Sequence, residues 1–128
     1  MAENEKMIEQ RCCELLKARG MTFAAAESCT GGLVAARLTE VPGASAVFGC
    51  GIVSYNNTVK AEVLGVDPAI IEQHTAVSVE TAAAMAEAVR KKSGADIGIG
   101  VTGNAGPTAS EGQPVGLVFV AVSSEKYS

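Results

Sequence analysis

The chain has 128 residues and a mass of 13.0 kDa, which is the size of one domain. With 48% hydrophobic and 19% charged residues, its composition is that of a globular protein rather than a disordered one. The net charge of −4, two tyrosines, three phenylalanines and no tryptophan argue against nucleic-acid binding, which uses basic surfaces and stacking aromatic rings. No apolar run approaches the roughly 20 residues of a membrane-spanning helix, so we expect no membrane partner.

The first half of the chain alternates helix and strand patterns. Residues 5–19 carry apolar side chains at helical spacing, and the apolar run 22–26 predicts a buried strand. A helix is predicted over 31–40, and a Pro-Gly pair then ends it. A second strand is predicted over 47–55, where two glycines indicate a bulge or a close backbone approach.

The second half continues the alternation. Two short helices are predicted over 58–64 and 67–74, and a long helix over 78–92 begins at a serine cap. The last two strands are predicted over 96–102 and 115–123.

This alternation predicts an α/β domain over residues 1–128, with a mainly parallel, possibly mixed, sheet covered on both faces. The last strand is followed by only a few residues. Since an uncovered edge strand is unusual, we expect that a further strand and helix of the domain are missing from the sequence.

A first glycine-bearing turn follows the first predicted strand. It contains Glu27, Ser28, Thr30, Gly31 and Gly32 at a strand-to-helix junction. Backbone N–H groups at a helix start attract anions, so this turn is a candidate phosphate site. An ordinary helix cap is the alternative, and neither a Walker loop nor a Rossmann fingerprint fits the spacing.

A second such turn, with Thr102, Gly103, Ala105 and Gly106, follows the third predicted strand. Ligands of open α/β sheets bind at the carboxyl ends of strands, so the two turns could face one crevice. A plain surface loop is the alternative.

Ser45, Tyr55 and Lys60 form a possible catalytic group. A desolvated lysine can serve as the base that activates a serine, and a tyrosine hydroxyl can relay the proton. The three could equally be a turn residue, a strand-end residue and a solvated helix residue. Cys29 is a rival nucleophile, because a thiol at a helix N-terminus has a lowered pKa, although no base is evident for it.

The cysteines give no metal site. None of the four forms a Cys-x-x-Cys pair, and the chain has a single histidine, so a structural zinc is not expected. Without an export signal, we expect a cytoplasmic protein with free thiols.

Six motifs in this order resemble the carboxy-terminal domain family of the competence/damage-inducible protein CinA. The resemblance covers about residues 5–123, and six ordered motifs are far more specific than one glycine loop. The motifs are Ala26-Glu-Ser-Cys-Thr-Gly-Gly32, Val41-Pro-Gly-Ala-Ser45, Gly51-Ile-Val-Ser-Tyr-Asn-Asn-Thr-Val-Lys60, Thr75-Ala-Val-Ser78, Thr102-Gly-Asn-Ala-Gly-Pro107 and Gln113-Pro-Val-Gly116.

The resemblance implies a three-layer α/β/α fold and an amidohydrolase that converts nicotinamide mononucleotide to nicotinate mononucleotide and ammonia. It implies Ser45 as nucleophile, Lys60 as general base and Tyr55 as its partner, with no metal or other cofactor. It also implies that the two glycine-bearing turns hold the nucleotide, with Ser28, Thr30 and Thr102 near its phosphate or ribose.

Two features depart from the family pattern. The stretch 108–112 is poorer in glycine than the family loop, and the family's last strand and helix, with a substrate-binding arginine, lie beyond this sequence. A non-catalytic nucleotide-binding or regulatory module is therefore the alternative function.

The proposed catalytic group also raises a geometric question. A straight strand would place Ser45 and Tyr55 roughly 30 Å apart. We therefore expect either a fold-back of the chain or, preferably, a homodimer in which Ser45 of one subunit meets Lys60 of the other.

Overall fold

Helices and strands alternate through most of the chain. The computed structural model describes residues 7–107 and 112–126. In chain order the elements are α1 (Ile8–Ala18), β1 (Phe23–Glu27), α2 (Leu33–Thr39), a 3₁₀ turn (Ala44–Ala46), β2 (Phe48–Val53), α3 (Asn57–Val59) continuing into a π-helical turn (Lys60–Leu64), α4 (Pro68–His74), α5 (Val79–Ser93), β3 (Ile97–Gly103) and β4 (Val118–Ser124).

The four strands form one mixed sheet in the order β2-β1-β3-β4. β1 pairs in parallel with β2 and with β3, whereas β4 runs antiparallel to β3. The predicted bulge is confirmed in β2: Phe23 pairs with Phe48 and Ala24 with Cys50, so Gly49 is the extra residue. The carboxyl ends of three parallel strands therefore meet at one edge of the sheet.

Local sequence signals explain where the helices begin and end. Asp67 caps α4 by accepting a hydrogen bond from Ala69 N–H at 2.9 Å, and a proline takes the first helical position. Ser78 caps α5 in the same way, and the left-handed Gly94 ends it. α2 begins at Leu33 rather than at residue 31, because both glycines before it adopt positive φ.

Apolar side chains cover both faces of the sheet, which makes a three-layer α/β/α fold, as predicted. On one face, α4, α5 and the π-helical turn pack against β1, with a core of Ala24, Ala26, Leu64, Val66, Ile71, Ala76, Met85 and Val89. On the other face, α1 and α2 pack over a core of Cys13, Phe23, Leu38, Ala44 and Val47.

α5 lies very close to β3. A Cβ atom added at Gly100 would lie 2.3 Å from the carbonyl oxygen of Ala82, and one at Gly98 would lie 2.0 Å from that of Ala86. Only glycine permits this approach, which is why β3 carries two glycines in its interior.

An ion pair links the two helices on the opposite face. Arg37 Nε in α2 donates to Glu9 Oε2 in α1 at 2.6 Å. This hydrogen bond holds the pKa of the Glu9 carboxyl below its ordinary value.

β4 is one of the two edge strands of the sheet among the described residues, and β2 is the other. It begins at Val118 rather than at residue 115, because the preceding residues form a turn in which Gly116 N–H donates to the Asn104 carbonyl. One face of β4 leaves Val118, Val120 and Val122 exposed. The expected additional strand and helix stay a prediction.

Candidate active site

A cavity of about 320 Å³ lies at the edge where β1, β2 and β3 end. Each of these strands contributes residues at its end or just after it, and the turn before α5 contributes Ala76 and Val77. The lining residues are Ser28, Cys29, Tyr55, Asn57, Lys60, Ala76, Val77, Thr102, Gly103, Asn104, Ala105 and Gly106. This is the expected position for a ligand in an open α/β sheet.

A buried lysine is the central polar group of the cavity. Lys60 is 1% exposed, and its Nζ donates to Ser28 Oγ at 3.1 Å and to the Tyr55 carbonyl oxygen at 3.3 Å. Burial disfavours the charged form of an amine, and a lysine in hydrogen-bond contact with a serine hydroxyl is the arrangement that activates a serine nucleophile.

The π-helical turn sets the position of Lys60. Asn56 caps the preceding α3 by accepting from Val59 N–H, and Gly65 N–H closes the wide turn on the Lys60 carbonyl at 3.1 Å. Both ends of this turn, Lys60 and Leu64, are buried. Such wide turns are rare and often occur at functional sites.

Ser45 lies apart from this group within the chain. It precedes β2, whereas Tyr55 and Lys60 follow it, and a six-residue strand spans roughly 20 Å. Ser45 is exposed and lines a different cavity, of about 280 Å³, beside the amino-terminal end of β1. One chain therefore does not join Ser45 to Lys60, and the site shared between two subunits stays a prediction.

Tyr55 lies at the mouth of the cavity rather than inside it. It is 70% exposed, and its recorded contact with Lys60 is through its backbone carbonyl, not its hydroxyl. The structure thus brings Tyr55 and Lys60 together, as expected, but the tyrosine contributes a main-chain acceptor.

Glu27 holds the first glycine-bearing turn together. Its carboxylate accepts from Thr30 Oγ1 at 2.6 Å, from Val34 N–H at 2.9 Å and from Ala35 N–H at 3.0 Å. These are the amide groups of the α2 N-terminus that a phosphate would need. Glu27 is 2% exposed. Its carboxylate therefore occupies the position at the α2 N-terminus that a bound anion would take.

Of the residues singled out in the first turn, the structure brings Ser28 and Cys29 into the cavity. Glu27, Thr30, Gly31 and Gly32 are not among its lining residues. The ordinary helix cap, which the sequence left open as the alternative, thus describes this turn better than a phosphate site. A role of Glu27, Thr30, Gly31 and Gly32 in binding substrate stays a prediction.

The second turn does line the cavity, with Thr102, Gly103, Ala105 and Gly106. Thr102 is buried, and its hydroxyl donates to the Ala76 carbonyl at 2.7 Å. This bond joins the end of β3 to the turn before α5, so two walls of the cavity are held together.

Asn104 is a cavity residue that sequence reasoning missed. It is buried; its Nδ2 donates to the Gln113 carbonyl at 3.1 Å, and its Oδ1 accepts from Gly106 N–H at 3.2 Å. The side chain thus ties the turn to the segment before β4. A polar residue between glycines at a strand end was the available signal.

The turn before α5 is strained. Thr75 has a φ of 70°, a region that costs a β-branched residue about 1–3 kcal/mol. Its carbonyl accepts from Ser78 Oγ at 3.0 Å and from Thr81 Oγ1 at 2.6 Å, and these bonds hold the conformation. The sequence motif here carried no assigned role, yet its residues Ala76 and Val77 line the same cavity as Ser28.

The lowered pKa that the sequence predicts for the Cys29 thiol is not found. Burial raises the pKa of Cys29, although the charge of Lys60 acts in the opposite direction. α2 begins only at Leu33, so this thiol lies in the preceding turn and not at the first position of a helix. Cys29 lines the same cavity as Lys60, but neither its pKa nor a helix start favours it as the nucleophile.

Over 7–107 and 112–126, no helix is long and apolar enough to cross a lipid bilayer. In the same residues, no three side chains of the metal-ligating types cluster together.

Comparisons with known proteins agree on one family. Residues 5–128 match the sequence profile of the CinA C-terminal domain. A protein of Desulforamulus reducens, provisionally named competence-damage inducible protein, is 53% identical over 123 residues, which is 96% of this chain. A protein of Acetivibrio thermocellus with the same name is 52% identical over 120 residues, 93% of the chain. The chain spans about 30% of the length of these curated relatives.

Solved structures share the fold. The competence/damage inducible protein CihA from Agrobacterium tumefaciens superposes with a TM-score of 0.88 at 40% identity, covering 94% of this chain and 73% of the other. A CinA superfamily protein from Klebsiella pneumoniae gives a TM-score of 0.87 at 36% identity, covering 91% of this chain and 73% of the other. The chain with the buried lysine–serine pair at the end of its parallel strands belongs to the CinA C-terminal domain family.

Proposed function

We propose that the chain is an amidohydrolase that converts nicotinamide mononucleotide and water to nicotinate mononucleotide and ammonia. Ser28 is the nucleophile in this proposal, and Lys60 is the general base. The observation that carries it is the 3.1 Å hydrogen bond from the buried Lys60 Nζ to Ser28 Oγ. Ser28 takes the place that the sequence assigned to Ser45, because Ser28 shares a cavity with Lys60.

The reaction proceeds in two stages. Ser28 Oγ attacks the carboxamide carbon while its proton passes to Lys60 Nζ. The C–N bond then breaks as Lys60 returns the proton to the leaving nitrogen, which departs as ammonia. A water molecule next attacks the ester carbon and gives its proton to Lys60, and that proton reaches Ser28 Oγ as the ester bond breaks.

The surrounding residues suit this chemistry. Cavities of this order accommodate small ligands, and the amides of Asn57 and Asn104 are polar groups beside the lysine. The positive pyridinium ring of the substrate makes its amide carbon more electrophilic.

The test is ammonia release from nicotinamide mononucleotide, measured with a coupled glutamate dehydrogenase assay. We expect Ser28→Ala and Lys60→Met to lose at least about 10³-fold in kcat, with folding checked by circular dichroism. Ser45→Ala is the matched control, and we expect it to stay within about threefold of the wild type.

Each outcome has a clear meaning. Wild-type turnover that survives Ser28→Ala contradicts the assignment of the nucleophile. Loss of turnover in Ser45→Ala, together with complementation when it is mixed with Lys60→Met, supports instead a site shared between two subunits. Calorimetric binding of the nucleotide without any turnover supports the non-catalytic module.

A further inference from the structure

Ser54 has a buried hydroxyl whose role the proposed reaction does not explain. The residue is 0% exposed, and its Oγ has no hydrogen-bond partner among the described residues. An unsatisfied buried hydroxyl destabilises the fold, and native proteins keep few of them. Such a group next to Tyr55, which lines the cavity, calls for a functional reason.

The register of the sheet places Ser54 beside Ser28. Glu27 pairs with Val53, and Ser54 N–H extends this pairing by donating to the Glu27 carbonyl at 2.8 Å. Side chains alternate along a strand, so those of residues 28 and 54 share the face of Ala26 and Ile52. That face is the one covered by the π-helical turn.

Lys60 reaches both neighbours of Ser54. Its Nζ donates to the hydroxyl of Ser28, which lies alongside, and to the carbonyl of Tyr55, the next residue in the chain. The amine is thus held between the two positions that flank Ser54 in space and in sequence.

We propose that Ser54 is a positioning residue that accepts a hydrogen bond from Lys60 Nζ once Ser28 has been acylated. This inference rests on the proposed function. In the acyl-enzyme, Ser28 Oγ is bonded to the acyl carbon and becomes an ester oxygen, which is a weaker acceptor than a hydroxyl. The Ser54 hydroxyl then keeps the Lys60 amine oriented while the amine takes the proton of the attacking water. Ser54 itself neither gains nor loses a proton.

The kinetic test compares the wild type with Ser54→Ala. We expect kcat to fall about tenfold and KM to fall with it, because deacylation becomes rate-limiting. The acyl-enzyme should then accumulate and appear by intact-mass spectrometry after rapid acid quench. Ser54→Thr should restore turnover, whereas Ser54→Val, which matches threonine in shape but lacks the hydroxyl, should not. Equal turnover in Ser54→Ala and the wild type, or no acyl-enzyme in a slow variant, would overturn the inference.

A second test needs no turnover. Urea unfolding of the wild type, Ser28→Ala, Ser54→Ala and the double variant forms a double-mutant cycle. We expect Ser54→Ala alone to be neutral or stabilising. In the Ser28→Ala background, where Ser54 takes over from Ser28 as an acceptor for Lys60, the same change should lower the folding equilibrium constant about tenfold. Additive effects would overturn the inference, whereas absence of ammonia release from the wild type would overturn only the proposed function.

Discussion

Replacing Glu27 by glutamine tests whether this carboxylate holds the turn or binds substrate. Glutamine keeps the shape but turns one oxygen into an NH₂ group. In its better orientation, the remaining oxygen keeps the bonds to Thr30 and Val34, and the NH₂ group faces the N–H of Ala35. The change loses one hydrogen bond to a charged group and leaves a buried donor without a partner.

The magnitude follows from these two losses. A hydrogen bond to a charged group contributes about 1.5–3 kcal/mol, and an unsatisfied buried donor costs about 1–3 kcal/mol. We therefore expect Glu27→Gln to lower the free energy of unfolding by about 3 kcal/mol. With a urea m-value of about 2 kcal/mol/M, the unfolding midpoint should fall by about 1.5 M.

A matched control and a clear contradiction complete this test. Glu87→Gln removes an exposed carboxylate that pairs with Lys91 in α5, so its effect should stay within about 0.5 kcal/mol. If Glu27→Gln unfolds at the wild-type urea concentration but raises KM for the nucleotide, the carboxylate binds substrate and the structural reasoning is refuted.

Three further predictions concern packing, thiol reactivity and pH. Gly100→Ala would place a Cβ atom against an α5 carbonyl and should lower the free energy of urea unfolding by about 1–3 kcal/mol. Gly49→Ala is the control: a Cβ atom there would meet nothing within 4 Å, so the loss should be less than half as large. Cys29 should react with iodoacetamide more slowly than the exposed Cys12 in timed mass spectrometry, since burial raises its pKa; faster labelling of Cys29 would contradict this. Glu9 has a lowered pKa in the fold, so its ion pair stabilises the protein above the ordinary pKa of a glutamate and is lost as pH falls through the lowered value. Glu9→Gln should therefore flatten the acid side of a plot of unfolding free energy against pH, and an unchanged slope would count against the pair.

Most of the fold could be predicted because its signals are local. The run 22–26 and the capped helix over 78–92 appear as β1 and α5 with boundaries moved by one residue. The antiparallel direction of β4 was left open, because strand direction depends on how the chain crosses the sheet and not on residue spacing. The π-helical turn was also missed, since its residues fit an ordinary helix equally well.

The site was harder to predict because its main contact joins distant residues. Ser28 and Lys60 lie 32 positions apart, and only the order and register of β1 and β2 bring them together. Sequence reasoning therefore placed Ser28 near the ligand but assigned Lys60 to another serine. An ordinary helix cap was an open alternative for the first turn, but the residues that Glu27 binds could not be predicted, because α2 begins later than the periodicity suggests.

The conformation of Thr75 bears on the shape of the cavity. Glycine would adopt the same backbone without strain, yet it would lose the Thr75 hydroxyl, which donates to the Val77 carbonyl at 3.3 Å, and it would raise the conformational entropy of the unfolded chain. Threonine thus exchanges backbone strain for a side-chain bond that restrains Val77, one of the residues that line the ligand chamber.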